Sequence, residues 1–290
     1  MGKFALIFCA FLSLMSESPQ CKSESTKQEP PQIGNFSVPG KHPHPLWGFG
    51  QNILTEGKVE TGDFTDTRQG RGTQLTETLP FVIFGLRDDL SLLVATPTFL
   101  SSAHGVGIPA TIVQFEYAYY TNKTFTFTEQ ATIVANAGIP ISNNGAPQHV
   151  SISSSDYFIG ATYNRTYTDW LFFTSYGGGF STTRDQINFG NTFVYQAGIG
   201  RNIVSIKDEY SWTGMVEIDG EYTGQAMIGG VLDPNSGGNT TLVTPSIAFT
   251  TQQFSFHAGV GGVVSQRLMG SQGVREYVVM AAVCWSFDPQ

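Results

Sequence analysis

The stretch TFTFTEQATIVANA, Thr124–Ala137, alternates with period two over its whole length. Odd positions read Phe125, Phe127, Glu129, Ala131, Ile133, Ala135 and Ala137, and even positions read Thr124, Thr126, Thr128, Gln130, Thr132, Val134 and Asn136. Successive side chains of a strand point to opposite faces, so one face is apolar apart from Glu129 and the other almost wholly polar. Strands of soluble sheets usually run about five or six residues. One of about 14 residues is long enough to cross a membrane when tilted, which takes about 9–11. Glu129 on the apolar face requires either a β-bulge or a neighbouring partner.

The preceding segment behaves alike. Val113, Phe115, Tyr117 and Tyr119 face one way, Gln114 and Glu116 the other, and Thr121-Asn122-Lys123 reads as the turn of a hairpin. Aromatic residues beside a short turn suit an interfacial girdle. The unit recurs over Phe81–Thr98, Tyr157–Phe180, Phe193–Tyr222 and Leu242–Val264. Strands over Trp47–Glu60 and Arg275–Phe287 complete about twelve. Short polar turns fall near 87–89, 121–123, 168–169, 205–209 and 251–252. Longer loops rich in Gly, Ser, Asn or Asp fall near 61–72, 101–108, 138–155, 181–188, 223–239 and 266–273. Short turns on one rim and long loops on the other are the pattern of an outer-membrane barrel, and sandwiches lack that regular alternation. The expected fold is all-β, a transmembrane antiparallel up-and-down β-barrel with both termini on the short-turn side.

Composition agrees. Charged residues make up 13% of the 290-residue chain, against roughly 25% in a soluble domain. Thr, Ser, Asn, Gln and 33 Gly take their place. A net charge of −8 and the lack of a Lys/Arg cluster argue against nucleic acid as a partner. The expected partners are outer-membrane lipid, the barrel-insertion machinery and a small-molecule solute.

Met1-Gly2-Lys3 followed by an apolar run from Phe4 to Met15, broken only by Ser13, reads as a signal peptide over 1–20. Lipidation at Cys21 is the minor alternative, because Ser18-Pro19-Gln20 fits the processing pattern poorly. Residues 21–46 read as a polar, flexible periplasmic leader, and 47–290 as the barrel. His42 and His44 lie between prolines and read as linker rather than metal ligands. Cys9, Cys21 and Cys284 form no C-x-x-C, so no zinc site or other cofactor is expected; a Cys21–Cys284 disulfide has no support beyond compartment.

The segment FGLRDDLSLLVATP, Phe84–Pro97, resembles a recurring element of the outer-membrane transporter family named for the MetA pathway of phenol degradation: an aromatic-Gly-Leu, a polar turn with Asp, then a Leu/Val strand ending in Pro. The resemblance covers about Trp47 to Phe287 and implies a channel or transporter for hydrophobic or aromatic solutes, with no catalytic residues. Trp285-Ser286-Phe287 resembles the aromatic-x-Phe close that insertion machinery reads, although Asp288-Pro289-Gln290 follow it here.

Enzymatic chemistry finds little footing. Barrel phospholipases use a Ser–His pair. Ser102/His104 and His149/Ser151 fall in loops, while Ser255 and His257 share the polar face of a strand about 7 Å apart, too far for a direct nucleophile–base bond. Gly177–Gly179 and Gly259–Gly262 open no helix, so they are not phosphate loops. Asn122, Asn164 and Asn239 fit a glycosylation pattern that arises by chance in a Thr-rich chain. The protein is therefore read as not an enzyme. Gln114, Glu116, Gln196, Glu217, Asp219, His257 and Glu276 fall on polar faces and are the lumen-lining candidates. Their acids suit either a mildly cation-preferring pore or ion pairs that fill a narrow interior. The leading reading is passive transport of small solutes. The rivals are a lipid-acting barrel enzyme and a surface barrel whose loops, 138–155 and 223–239, bind a partner.

Overall fold

The computed structural model describes residues 46, 49–70, 73–101, 105–107, 110–140, 156–183, 186–206 and 209–287. Twelve antiparallel strands close into a barrel. They are β1 (Val59–Gly70), β2 (Thr73–Arg87), β3 (Leu90–Ala95, resuming as Thr98–Ser101), β4 (Ala110–Lys123), β5 (Phe127–Pro140), β6 (Asp156–Tyr167), β7 (Trp170–Ser181), β8 (Thr192–Ile206), β9 (Tyr210–Thr223), β10 (Gly238–Thr251), β11 (Phe254–Leu268) and β12 (Arg275–Phe287). Each strand pairs with its chain neighbours, and β1 pairs with β12 from Val59↔Phe287 to Gly70↔Arg275. No sheet edge is left open at this seam, which is what hydrocarbon demands of a spanning sheet.

Alternation sorts the side chains. On β9, Met215, Glu217 and Asp219 are buried inside, while Val216 and Ile218 are exposed outside. On β12, Val278 and Met280 point in, and Tyr277, Val279, Val283, Trp285 and Phe287 point out. Aromatic rings crowd the short-turn rim in two runs of mutual contact. Phe127, Tyr167, Phe172 and Trp170 form one; Tyr210, Trp212, Phe249, Phe254, Trp285 and Phe287 form the other. Amphipathic rings of this kind mark the membrane–water boundary.

Two of the tight turns share a device. The Thr124 hydroxyl donates to the carbonyl of Phe127 (3.0 Å) and accepts its N–H (3.1 Å). Thr251 does the same with Phe254, at 3.1 and 2.9 Å. A threonine at the first turn position thus satisfies backbone groups that the ladder leaves over. The first of these turns lies at 124–126, three residues beyond the expected 121–123. On the opposite rim the loops after β7 and β9 join in a small sheet of Ile187–Asn188, Met227–Ile228 and Val231–Leu232.

Glu129 has both remedies. A bulge at Tyr119 shifts the β4 register, so that Ala118 pairs with Thr132 but Tyr120 with Ala131. The shift carries Tyr120 and Asn122 onto the outer face beside Glu129. Its carboxylate then accepts from Tyr120 Oη (2.6 Å), Asn122 Nδ2 (3.0 Å) and Tyr163 Oη (2.8 Å), with Arg165 Nε at 3.8 Å. Arg165 in turn lies over Phe127, 3.9 Å from the ring centroid. We expect Glu129→Ala to lower the urea midpoint of the barrel in lipid vesicles, because Arg165 is left on the outer face without its acid. The E129A/R165A variant should recover part of the loss; no recovery would mean that the pair is not coupled.

The start of the barrel differs from the expectation. Residues 49–58 form no strand, and the first strand is Val59–Gly70, which beyond Glu60 falls in what reads from sequence as the loop 61–72. Both faces of β1 are polar, so it lacks the alternation that marks the other strands. The apolar residues before it serve the interior instead.

Candidate functional site

Gly48-Phe49-Gly50 offers little to a strand: two glycines flank a single aromatic. Gly50 sits at φ +80° and Gln51 at φ +64°, the left-handed region where glycine alone is unstrained. The chain therefore turns away from the wall, and residues 49–56 cross the lumen, with Leu46 seated against β9, β10 and β12.

The crossing is held at successive points from several parts of the wall. The N–H of Leu46 donates to both carboxylate oxygens of Glu217 on β9, at 3.0 Å each. The Leu46 side chain packs with Leu242, Val278 and Met280 on β10 and β12. Burying a leucine in this way contributes roughly 1.5–3 kcal/mol. Phe49 meets Phe158 edge-on, centroids 4.6 Å apart, and occupies the space beside Gly160 where a side chain would stand. The N–H groups of Gln51 and Asn52 donate to Glu116 on β4, at 2.7 and 3.0 Å. Thr132 donates to the same carboxylate at 2.7 Å. The Leu54 N–H donates to Ser91 Oγ on β3 at 2.8 Å, and the Glu56 N–H to Asp88 at 3.0 Å. Gly85 on β2 admits the backbone of Leu54 and Thr55, whose oxygens a Cβ would strike. The fastening is thus backbone N–H to buried carboxylate at two points; such charge-assisted bonds are about twice as strong as neutral ones.

The segment leaves a cavity of about 300 Å³ on its β1–β2 and β10–β12 side. Leu46, Gly50 and Asn52 bound it on one flank. Phe64, Leu79, Phe81, Ile83 and Ala282 supply an apolar wall, and Glu60, Ser255 and His257 reach in from the strands. Toward the long-loop rim the same space meets Arg68, which bonds Asp66 and Glu77 at 2.9 Å each. On the far side of the barrel Leu171, Phe173 and Met215 form an apolar cluster of their own.

Six of the seven candidate residues named from sequence are buried in the interior. Glu116 and Glu217 hold the crossing segment. Gln114 accepts from Asn136 at 3.4 Å. Gln196 and Thr244 donate to Asp219 at 3.3 and 3.2 Å. His257 Nε2 lies 2.9 Å from Ser246 Oγ, and Ser246 donates to Glu217 at 3.5 Å. Glu276 stands apart, exposed near the long-loop end of β12. The serine beside His257 is therefore Ser246 on the neighbouring strand rather than Ser255, and the pair faces the lumen. A lipid-acting centre would need its nucleophile on the outer side. Sequence reading missed the crossing segment, Ser91, and the Asp66–Arg68–Glu77 group; Gly48-Phe49-Gly50 was the signal for the first.

No family model matches the chain, and a search of the curated proteins finds no relative. Solved structures do resemble it. An outer-membrane channel of Pseudomonas putida F1 superposes with a TM-score of 0.64 at 12% identity, over 83% of this chain and 100% of that one. The NanC porin matches with a TM-score of 0.48 at 12% identity, over 78% of this chain and 98% of that one. At such identity the likeness concerns the fold. Together with the closed twelve-strand wall, the apolar belt and the aromatic rim, it makes this chain a β-barrel of the bacterial outer-membrane type.

Proposed function

We propose that the protein is an outer-membrane channel for passive uptake of small solutes, hydrophobic or aromatic ones among them, and that Leu46 and residues 49–56 are its gate. The observation that carries this reading is the crossing segment itself. It is clamped across the lumen by Glu217 and Glu116 and leaves an apolar-walled cavity beside it. A cavity of about 150 Å³ holds benzene, so the space here accommodates a one- or two-ring molecule. Kinship with the MetA-pathway transporters, carried by Phe84–Pro97, is part of the same reading. The interior acids favour cations over anions.

Purified protein in a planar bilayer, under a salt gradient, tests it. Expected are discrete, small conductance steps, with a reversal potential on the cation side that moves toward zero in D219N. A folded protein that never conducts, in wild type or in variants of the crossing segment, would sink the channel reading.

A second reading has one observation in its favour. The sheet joining the loops after β7 and β9 exposes Ile228, Val231 and Leu232, at 53%, 71% and 53%. Such an apolar tip suits contact with a partner outside the cell. Shortening 224–237 without any change in surface binding would remove that reading.

A further inference from the structure

The lipid-facing belt is apolar almost all round. Val216, Ile218, Ile247, Val260, Val279 and Val283 all project from it. Besides the Glu129–Arg165 group at the short-turn end of β5 and β6, one sector departs from this. The outward row of β1 is Thr61, Asp63, Thr65, Thr67 and Gln69, and that of β2 continues it with Thr76 and Thr78. Register fixes the depth: Asp63 pairs with Val283, Thr65 with Ala281 and Thr67 with Val279. The sector thus stands level with the apolar row of β12, between the rings of Trp285 and Tyr277. Polar groups against hydrocarbon are unfavourable, and the cost grows toward the midplane.

We infer that the outer faces of β1 and β2 are the contact surface for a second copy of this chain in the membrane. The chemistry of the sector selects that occupant. Its polar groups are chiefly hydroxyls, already ordered among themselves. Thr67 and Thr76 oxygens lie 3.1 Å apart, and Thr65 and Thr78 donate to the Asp63 carboxylate at 3.1 and 2.7 Å. A hydroxyl both donates and accepts, so a hydroxyl surface is complementary to itself and needs no charged counterpart.

The membrane supplies the second constraint. Two copies inserted the same way can be related by a two-fold axis only along the membrane normal, and each residue then meets the other copy at its own depth. An axis between β1 and β2 sets β1 of one copy against β2 of the other. By register, Thr65 faces the depth of Thr78, Thr67 that of Thr76, and Asp63 that of Pro80. The two Asp63 carboxylates are thereby kept off each other. The polar sector is about 25 Å long and two strands wide, too little for the roughly 800 Å² per partner of a standard interface. The contact therefore takes in flanking apolar residues, including Ala281 and Val283 of β12 and Val82 of β2. This inference concerns the outer wall and stands whether or not the lumen conducts.

Short bismaleimide cross-linking in outer membranes tests it, with Cys9, Cys21 and Cys284 replaced by Ser. T67C is expected to yield a homodimer band, and V216C, across the barrel, to stay monomeric. Adding T65V, T76V and T78V to T67C should cut the dimer yield several-fold, with heat-modifiable gel mobility confirming a folded barrel. Monomer from T67C, or equal dimer from V216C, would overturn the inference. A T67C adduct of another mass would overturn it too, and give this face to a different protein.

Discussion

An E116A/E217A double variant is expected to conduct far more than the wild type. The two carboxylates accept the N–H groups of Leu46, Gln51 and Asn52. Hydrogen bonds to a charged group contribute about 1.5–3 kcal/mol each. Against this stands the cost of keeping two carboxylates from water whenever the segment is seated. Pairing wins, because each carboxylate has more than one donor: Glu116 also accepts from Thr132, and Glu217 from Ser246. A net loss of about 3 kcal/mol shifts the seated–unseated equilibrium about a hundredfold. The E116Q/E217Q variant keeps shape without charge and should fall between the two. Single-channel recording reads the result as open fraction. If the alanine variant is no more open than the wild type, the carboxylates are not the clamp.

Gly50→Val should open the channel by an unrelated route. The position has φ +80°, which in a non-glycine residue costs of order 1–3 kcal/mol. Space is lacking as well: a Cβ would lie 2.5 Å from Thr162 Cγ2 and 3.1 Å from Val134 Cγ2. Both are short β-branched side chains on barrel strands, with few rotamers to retreat into. The segment must leave its seat, since the wall cannot move without breaking its ladder. Open fraction is expected to rise at least about tenfold, the factor that 1.4 kcal/mol gives. Gly50→Ala combined with Thr162→Ala removes the nearest clash but not the dihedral strain. It should conduct less than Gly50→Val, and an equal conductance would assign the whole effect to the backbone.

Much of the wall was legible in the sequence, for a physical reason. A strand between lipid and a polar interior must alternate, and Thr124–Ala137 does so. The same rule failed at both faces of β1. Thr61, Asp63, Thr65 and Thr67 outside and Glu60, Asp66 and Arg68 inside give it no period, so it read as loop. Trp47–Glu60 reads as a strand although Phe49, Ile53 and Leu54 sit in the interior, because apolarity alone does not distinguish a wall strand from a segment packed in the lumen. The placement of Glu116, Glu217 and Asp219 on polar faces followed from parity. That Glu116 and Glu217 bind main-chain N–H groups did not, because the donor segment lies 65 and 171 residues away in the chain.

That separation also bears on how the molecule is made. Leu46 meets Glu217 across 171 residues, and Ser286 bonds Glu60 across 226. Contacts so remote carry a large loop-closure entropy and form slowly. The β9 anchor for the crossing segment lies near the C-terminal end of the wall, and β1, to which the segment leads, completes the seam with β12. A chain whose seam is still open has no enclosed lumen for the segment to cross. Closing the wall and seating the segment are therefore coupled in assembly, so that neither is complete before β12 has met β1.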